Sequence, residues 1–373
     1  MDVYARLGVR PIINARGMNT MASGSLMPKP VLDAMNEAAG AFVDMAELNS
    51  LAGAHIARLV GVEAAHVTSG SAGGLLLAAA ACIAGDDPGR IARLPDTIGM
   101  RNEIVIQRCD RIQYDQALRM AGSVLVEVGG ADACTPEDVE AAIGPRTAAL
   151  IYIVSPGLAD RGVGPERMAK IAHAHRLPLI VDAASTLPPV GHLRRWTDIG
   201  ADLVILSGGK GIRGPQNTGL LVGRADLIRA ASANGSPNSA VGRPCKVSKE
   251  AIVGLVAALE LFLQDDHDAE WARHLDEARR ILQAATGIQG VHPRLEGDRS
   301  VWTAPTLLLS IDPAVAGVSP EGVMKALRQG DPPIMVRVHR GELLVDPHCL
   351  RGDEASLVAR RLREELLRRA LTH

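Results

Sequence analysis

The sequence lacks features that mark several common classes of binding protein. Aromatic residues make up only 2% of its 373 residues, with three Trp, three Tyr and two Phe. Proteins that bind single-stranded nucleic acids stack bases on such rings, so this composition speaks against a nucleic-acid partner. The 40 Lys and Arg nearly balance the 42 Asp and Glu, leaving a net charge of −2. The net charge therefore provides no overall electrostatic attraction to a polyanion or an anionic membrane.

Cysteines and long apolar segments are also scarce. The five cysteines are dispersed and form no C-x-x-C pair, which excludes zinc ribbons and thioredoxin-type motifs. An odd, dispersed set is typical of reduced thiols in the cytoplasm. The most apolar run, residues 73–85, is too short to cross a bilayer, and the first residues show no apolar stretch of a secretion signal. We expect a cytoplasmic protein without a membrane or metal partner.

The sequence does contain a regular alternation of predicted strands and helices. Short aliphatic runs alternate with segments of helical spacing through the middle of the chain. Continuous aliphatic runs are typical of buried parallel strands, so the alternation predicts an α/β fold with a mostly parallel central sheet. The predicted strands are 65–68, 103–107, 124–128, 148–154, 179–183, 203–206 and 219–222.

Two flanking regions complete the predicted organisation. Residues 1–44 are expected to form an N-terminal arm and the start of a small domain, and residues 45–250 the large domain. Residues 251–373 are expected to form a smaller C-terminal α+β domain, because helical spacing there alternates with short apolar runs. Those runs predict strands at 306–311, 334–338 and 342–346.

Three segments at the ends of predicted strands carry candidate chemistry. Residues 68–74 (TSGSAGG) join a strand to a helix, and their small side chains let backbone N–H groups approach an anion. Asp182 ends an apolar strand, where a buried acid needs a cationic partner. Lys210, one of six lysines, follows another strand between glycines, and a desolvated amine there can form a Schiff base. Taken singly, the plainer interpretations are an ordinary turn, a capping Asp and a solvated Lys.

The order of these segments resembles that of fold-type I enzymes dependent on pyridoxal 5'-phosphate (PLP). Within them the chain is similar to the SelA-like group of selenocysteine synthase and D-glucosaminate-6-phosphate ammonia lyase. The resemblance covers nearly the whole chain. The segments that carry it are PIINARG at 11–17, VTSGSAGG at 67–74, YDQALRMAG at 114–122, LVEVGG at 125–130, VDAAS at 181–185, SGGKGIRGPQNTGLLVG at 207–223, RPCKVSKEAIVGLVAALE at 243–260 and LLVDPHCL at 343–350.

This resemblance implies roles in binding PLP in the large domain. Lys210 would form the Schiff base, and Asp182 would pair with the pyridine nitrogen and keep the ring an electron sink. Family members form dimers or larger rings with sites at subunit interfaces, so Gln216 is expected near a neighbour's cofactor. The chain itself is expected to form a homodimer or larger homo-oligomer. The residues that would hold the phosphate are Gly70, Ser71, Ala72 and Ser207.

One arginine of the predicted C-terminal domain is a candidate for binding the substrate. Arg337 lies on the predicted strand 334–338. Enzymes of fold-type I often use an Arg of this domain to hold the substrate carboxylate through two hydrogen bonds. The alternative interpretation is a solvated Arg on the surface of the strand.

One position departs from the resembling enzymes. They often carry a His in the segment QRxHR, whose ring can stack on the pyridine, whereas this chain has Asp110 in QRCDR. Because a carboxylate cannot stack in this way, either another group covers that face of the ring or the cofactor geometry and reaction type differ.

The function expected from the resemblance is that of a PLP-dependent lyase acting on a small molecule. It would eliminate water and ammonia from a hydroxylated amino acid or an amino-sugar acid like D-glucosaminate 6-phosphate, giving a 2-oxo acid, with Lys210 as general base. A racemase, aminotransferase or aldolase using the same Lys210 is the alternative. Transfer of selenium on tRNA is less favoured, because no tRNA-binding extension precedes PIINARG and the net charge is −2. A role without catalysis is a further alternative.

Overall fold

The computed structural model of the chain describes residues 3–154, 161–299 and 302–368. Within these ranges the helices are α1 (Val3–Arg6), α2 (Lys29–Ala39), α3 (Met45–Val60), α4 (Gly70–Ala84), α5 (Pro88–Arg93), α6 (Gln116–Arg119), α7 (Pro136–Ala141), α8 (Pro165–Ala174), α9 (His192–Asp198), α10 (Ala225–Ala233), α11 (Lys249–Gln264), α12 (His267–Ala285), α13 (Pro313–Ala316), α14 (Pro320–Gln329) and α15 (Glu354–Leu367). The strands are β1 (Ile13–Asn14), β2 (Ala64–Thr68), β3 (Glu103–Gln107), β4 (Val124–Val128), β5 (Thr147–Ile153), β6 (Leu179–Asp182), β7 (Leu203–Ser207), β8 (Gly219–Gly223), β9 (Val291–Glu296), β10 (Thr306–Ile311), β11 (Ile334–Met335), β12 (Arg337–His339) and β13 (Glu342–Val345).

The chain divides into two compact units. The larger unit is Met27–Asp265, and the smaller one combines Met1–Leu26 with Asp266–His373. The three-part division expected from the sequence, with boundaries after residues 44 and 250, stays a prediction. None of the helices in the described ranges combines the length and the apolar character that a membrane crossing requires.

The larger unit is built on a seven-stranded sheet with the order β2-β8-β7-β6-β5-β3-β4. The strands from β7 to β4 in this order run parallel, while β8 is antiparallel to both of its neighbours. All seven predicted strands are present, and their ends differ from the prediction by at most one residue. The structure therefore confirms an α/β fold with a mostly parallel central sheet.

Alternate side chains of the strands pack on opposite faces of this sheet. In β6, Leu179 and Val181 belong to one apolar cluster, and Ile180 belongs to the other. Helix α4 covers the second face with residues such as Leu75 and Leu76, which are at most 2% exposed. Burying one such side chain stabilises the fold by roughly 1.5–3 kcal/mol. Both faces of the sheet are thus covered. In open α/β sheets, ligands bind at the edge formed by the carboxyl ends of the parallel strands.

The smaller unit has its own sheet and core. Its antiparallel sheet has the order β12-β13-β10-β9, and a separate parallel pair joins β1 to β11. The pair aligns Ile13 with Ile334, so the start of the chain is fixed to its C-terminal part. Helices α12, α14 and α15 contribute apolar side chains to a common core with the strands. This α+β unit agrees with the smaller C-terminal domain expected from the sequence.

Candidate active site

Asp182 lies at the carboxyl end of a central parallel strand. It is the last residue of β6, is 5% exposed and aligns with Ile205 of β7. Its Oδ1 accepts a hydrogen bond of 3.1 Å from the backbone N–H of Ala184. Burial raises the pKa of this carboxyl, while the N–H of Ala184 and the charge of Lys210 act in the opposite direction. The strand thus presents a buried acid that is stabilised by a nearby positive charge.

Lys210 is the source of that charge. It lies three residues beyond Ser207, the end of β7, and its Nζ donates a hydrogen bond of 2.5 Å to Oγ of Ser185. Burial lowers the pKa of the amine, and the negative charge of Asp182 partly offsets this effect. The ends of β6 and β7 therefore bring together the acid and the amine that the sequence singled out. An amine with a lowered pKa can act as a nucleophile or as a general base.

The glycines around Lys210 are required by close backbone contacts. A Cβ added to Gly209 would lie 2.4 Å from Cα of Gln216, and one added to Gly211 would lie 2.4 Å from the carbonyl oxygen of Leu187. Neither position has room for a side chain. The tight turn fixes the backbone on both sides of the lysine, while Gln216 itself is exposed.

The N-terminus of α4 is open to an anion. Gly70 has a left-handed φ of 64°, and an added Cβ there would meet no atom within 4 Å. The N-cap Ser69 makes no side-chain capping bond, so the first N–H groups of the helix, at Gly70, Ser71 and Ala72, are not satisfied by a side-chain cap. Most of the rest of α4 is buried, whereas this first turn reaches the surface. An anion would be stabilised there by N–H groups and the helix dipole.

Ser207, the other residue expected to contact the phosphate, lies in the same row of the sheet as the end of β2. Thr68, Gly219 and Ser207 are aligned across β2, β8 and β7. The hydroxyl of Thr68 donates a hydrogen bond of 2.9 Å to the carbonyl oxygen of Gly70, which fixes the turn before α4. Ser207 is therefore placed on the same edge of the sheet as the start of that helix.

Arg337 lies in the smaller unit, at the start of β12. It aligns with Leu344 of β13 and alternates along the chain with the buried Ile334 and Val336. Its own side chain is half-buried, and burial lowers its pKa, an effect that Asp346 opposes and Arg16 reinforces. This environment differs from that of a fully solvated arginine on a strand.

Asp110 is buried rather than open to the surface. It ends a 3₁₀ turn after β3 and is 3% exposed. Its carboxylate accepts hydrogen bonds from Nε2 of Gln107 at 2.8 Å and from Sγ of Cys109 at 3.7 Å, and a further one from the backbone of Ile153. Burial raises its pKa to about 6, although these hydrogen bonds act against the shift. Ile153 is the last residue of β5 and aligns with Asp182 of β6. Asp110 and Asp182 therefore both lie near the carboxyl end of β5.

Two hydroxyl groups contribute to this region but were not predicted from the sequence. Ser185 holds the amine of Lys210, and Thr68 holds the turn before α4. Both lie at or just beyond a strand end, which is the signal that would have found them. Their hydrogen-bond partners depend on how the turns fold, and no spacing in the sequence encodes that.

Comparison with known proteins places this geometry in a family. The family model described as L-seryl-tRNA selenium transferase (SelA) matches residues 46–297. The chain is 37% identical to a Streptomyces 5'-C-glycyluridine monooxygenase-decarboxylase, with 98% of this chain and 92% of the relative covered. It is 33% identical to D-glucosaminate-6-phosphate ammonia lyase of Salmonella typhimurium, with 97% of both covered. Both relatives are named as enzymes.

Solved structures give the same grouping. The structure of D-glucosaminate-6-phosphate ammonia lyase superposes with a TM-score of 0.84 at 32% identity, covering 99% of both chains. A cysteine desulfurase of Thermococcus onnurineus, at a TM-score of 0.60 and 19% identity, covers 95% of this chain and 94% of its own and shares the fold alone. The architecture is that of the fold-type I PLP-dependent enzymes. With the family model matched over the larger part of its length, the chain belongs to the SelA family.

Proposed function

We propose that this chain is a PLP-dependent lyase that removes ammonia from a hydroxylated amino acid or amino-sugar acid and leaves a 2-oxo acid. The observation that carries the proposal is the hydrogen bond from Lys210 to Ser185 beside the buried Asp182, at the ends of adjacent parallel strands. The relative named D-glucosaminate-6-phosphate ammonia lyase, which also has the matching solved structure, supports this reaction.

The residues present fit PLP at both of its charged ends. Asp182 is a buried carboxylate that a protonated pyridine nitrogen would stabilise. The uncapped N–H groups at Gly70, Ser71 and Ala72, with Ser207 on the same edge, would hold the phosphate. When bound there, PLP would supply an electron sink for charge that develops at the substrate Cα.

The protein's own contribution is to position one base and to balance its charge. Lys210, whose pKa burial lowers, would take the proton from the substrate Cα and hand a proton to the departing β-hydroxyl, which leaves as water. Ser185 would hold Nζ in place. Hydrolysis of the dehydrated amino acid takes up one water and releases ammonia, so the net reaction removes ammonia only.

Two further residues have proposed roles in binding. Arg337 would bind the substrate carboxylate, since a guanidinium can donate two parallel hydrogen bonds to it. Gln216, which is exposed on the turn beyond Lys210, would lie near a neighbouring subunit's cofactor in a homodimer or larger homo-oligomer. We also propose that the protein acts in the cytoplasm on a free small molecule.

The proposal is tested by adding D-glucosaminate 6-phosphate to the purified protein loaded with PLP. We expect the visible absorbance of the bound cofactor to change and ammonia to appear with an equal amount of 2-oxo acid. D-glucosaminate without its phosphate is the matched control for recognition of that group. A panel of hydroxylated amino acids and amino-sugar acids that yields no ammonia at all would overturn the lyase assignment.

The other relative supports a second candidate. At 37% identity over nearly the full chain, the 5'-C-glycyluridine monooxygenase-decarboxylase makes oxidative decarboxylation of an amino acid the alternative. This reaction consumes oxygen and releases carbon dioxide, which elimination does not. An oxygen electrode and a carbon dioxide assay on the same samples would therefore separate the two reactions.

A further inference from the structure

Two arginines of the smaller unit lie close together. Arg16 follows β1 and aligns with Asp346 in a parallel bridge, and the backbone N–H of Asp346 donates a 2.9 Å hydrogen bond to the carbonyl oxygen of Ala15. Arg337 begins β12, which pairs with β13. The backbone N–H of Ala15 donates a 2.9 Å hydrogen bond to the carbonyl oxygen of Met335, so the residue before Arg16 lies beside the residue two positions before Arg337. Burial lowers the pKa of Arg337, and repulsion from the charge of Arg16 acts in the same direction.

Each arginine has a donor that nothing in the described part of the chain satisfies. The Nε atoms of Arg16 and Arg337 are both shielded from water and have no hydrogen-bond partner among the described residues. Nη2 of Arg16 makes a contact of 3.9 Å with Sδ of Met21, a weak acceptor. A buried donor without a partner destabilises the fold. A ligand that accepts hydrogen bonds from both Nε–H groups would remove this cost.

The acid in this cluster can balance at most one of the two charges. Oδ1 of Asp346 accepts a 2.9 Å hydrogen bond from the backbone of His348. Oδ2 is packed against Gly17, where an added Cβ would lie 2.1 Å from it. The carboxylate is therefore held by its own turn. Arg16, Arg337 and Asp346 together keep one positive charge in excess.

We propose that Arg16 is a second anion-binding residue beside Arg337, and that the two guanidinium groups together hold one oxyanion, a carboxylate or a phosphate. A planar guanidinium matches the two oxygens of such a group, and one negative charge would neutralise the excess in the cluster. That this oxyanion belongs to the substrate rests on the proposed function. The existence of the site does not, because it follows from the smaller unit alone.

The site is tested by thermal melting of the full-length, PLP-loaded protein. Sodium acetate and inorganic phosphate serve as probes, with sodium chloride at equal ionic strength as the reference. Binding to the folded state raises the melting temperature, so we expect both probes to stabilise the wild type. Arg16→Gln and Arg337→Gln should each lose most of that gain. Arg328→Gln, which removes an exposed charge of α14, should keep it.

A structural role for Arg16 predicts the opposite behaviour in the absence of oxyanions. If Arg16 only supported the fold, Arg16→Gln would melt at a lower temperature in chloride. Because the substitution removes repulsion from Arg337, we expect it to melt at the same temperature or higher. Arg16→Lys keeps the charge but not the planar donor group, and should retain only part of the gain from acetate.

Steady-state kinetics distinguish the two sources of the oxyanion. If it is the substrate's own, acetate or phosphate will compete with D-glucosaminate 6-phosphate, and Arg16→Gln will raise KM about tenfold or more with little change in kcat. If it is a free anion, the probes will stabilise the protein without competing. Equal stabilisation of the wild type and Arg16→Gln, or none in the wild type, would overturn the proposal. The melting data decide this even if the lyase assay shows no turnover.

Discussion

Asp182 and Lys210 each lie where burial disfavours their charged form. Burial raises the pKa of the acid and lowers that of the amine, and the charge of each partly offsets the shift of the other. Opposed shifts in neighbouring groups are typical of sites that move protons. The sequence could indicate both residues because each lies at or just beyond the end of a buried strand. It could not indicate Ser185 as the partner of Lys210, because that contact depends on the path of a turn.

Asp110 should make the stability of the fold depend on pH. Its pKa is raised from 3.8 to about 6, so the folded chain keeps a proton that the unfolded chain releases. The contribution of Asp110 to the stability of the wild type should therefore fall as the pH rises from about 4 to about 6. Between pH 4 and pH 6, the free energy of unfolding of Asp110→Asn should therefore rise relative to that of the wild type by up to roughly 3 kcal/mol.

The measurement is denaturant unfolding of the cofactor-free protein between pH 4 and pH 7. Asp132→Asn is the control, because Asp132 is exposed and its side chain is 86% accessible. At each pH the free energy of unfolding of the wild type is subtracted from that of Asp110→Asn. The pH dependence of this difference is the result of interest, because hydrogen bonds lost equally at every pH do not affect it. A difference that stays flat across this range would show that Asp110 is ionised like an exposed acid.

The position of α4 depends on a glycine of β8. A Cβ added to Gly219 would lie 2.6 Å from the carbonyl carbon of Gly70 and 2.8 Å from Oγ1 of Thr68. Gly219→Ala should therefore displace the first turn of α4, lower the affinity for PLP about tenfold or more and destabilise the fold by roughly 1–3 kcal/mol. Titration with PLP and thermal melting measure the two effects.

A second glycine provides the matched control for this substitution. An added Cβ at Gly144 would meet no atom within 4 Å, so Gly144→Ala should leave both PLP affinity and stability nearly unchanged. If Gly219→Ala bound PLP as tightly as Gly144→Ala, the contact between β8 and the start of α4 would have no part in the site.

Elements with an aliphatic run could be predicted from the sequence, and elements without one could not. Six of the seven strands of the large sheet are buried along most of their length, and the edge strand β4, although partly exposed, still shows such a run. Strand β9 was missed because it is an edge strand that contains Pro293 and buries few of its side chains.

For the whole molecule, the order of strands is what assembles the site. Strand β8 reverses direction after the turn that carries Lys210 and then lies between β7 and β2. This places Gly219 between Ser207 and Thr68, and so joins the lysine turn to the start of α4. Periodicity alone predicted the strands but not their order, since pairing depends on contacts between distant parts of the chain. The resemblance in sequence motifs supplied the fold type, which comparison with solved structures then confirmed.

The proposed function requires that Lys210 is the residue to which PLP attaches. The most direct measurement is to load the protein with PLP, reduce it with borohydride and locate the modified peptide by mass spectrometry. Lys170→Ala, which removes an exposed lysine of α8, is the control and should behave as the wild type. We predict that the label lies on Lys210 alone and that Lys210→Ala carries neither label nor visible absorbance of bound PLP. A label on another lysine, or an unchanged spectrum in Lys210→Ala, would show that Lys210 is not the residue that binds PLP covalently.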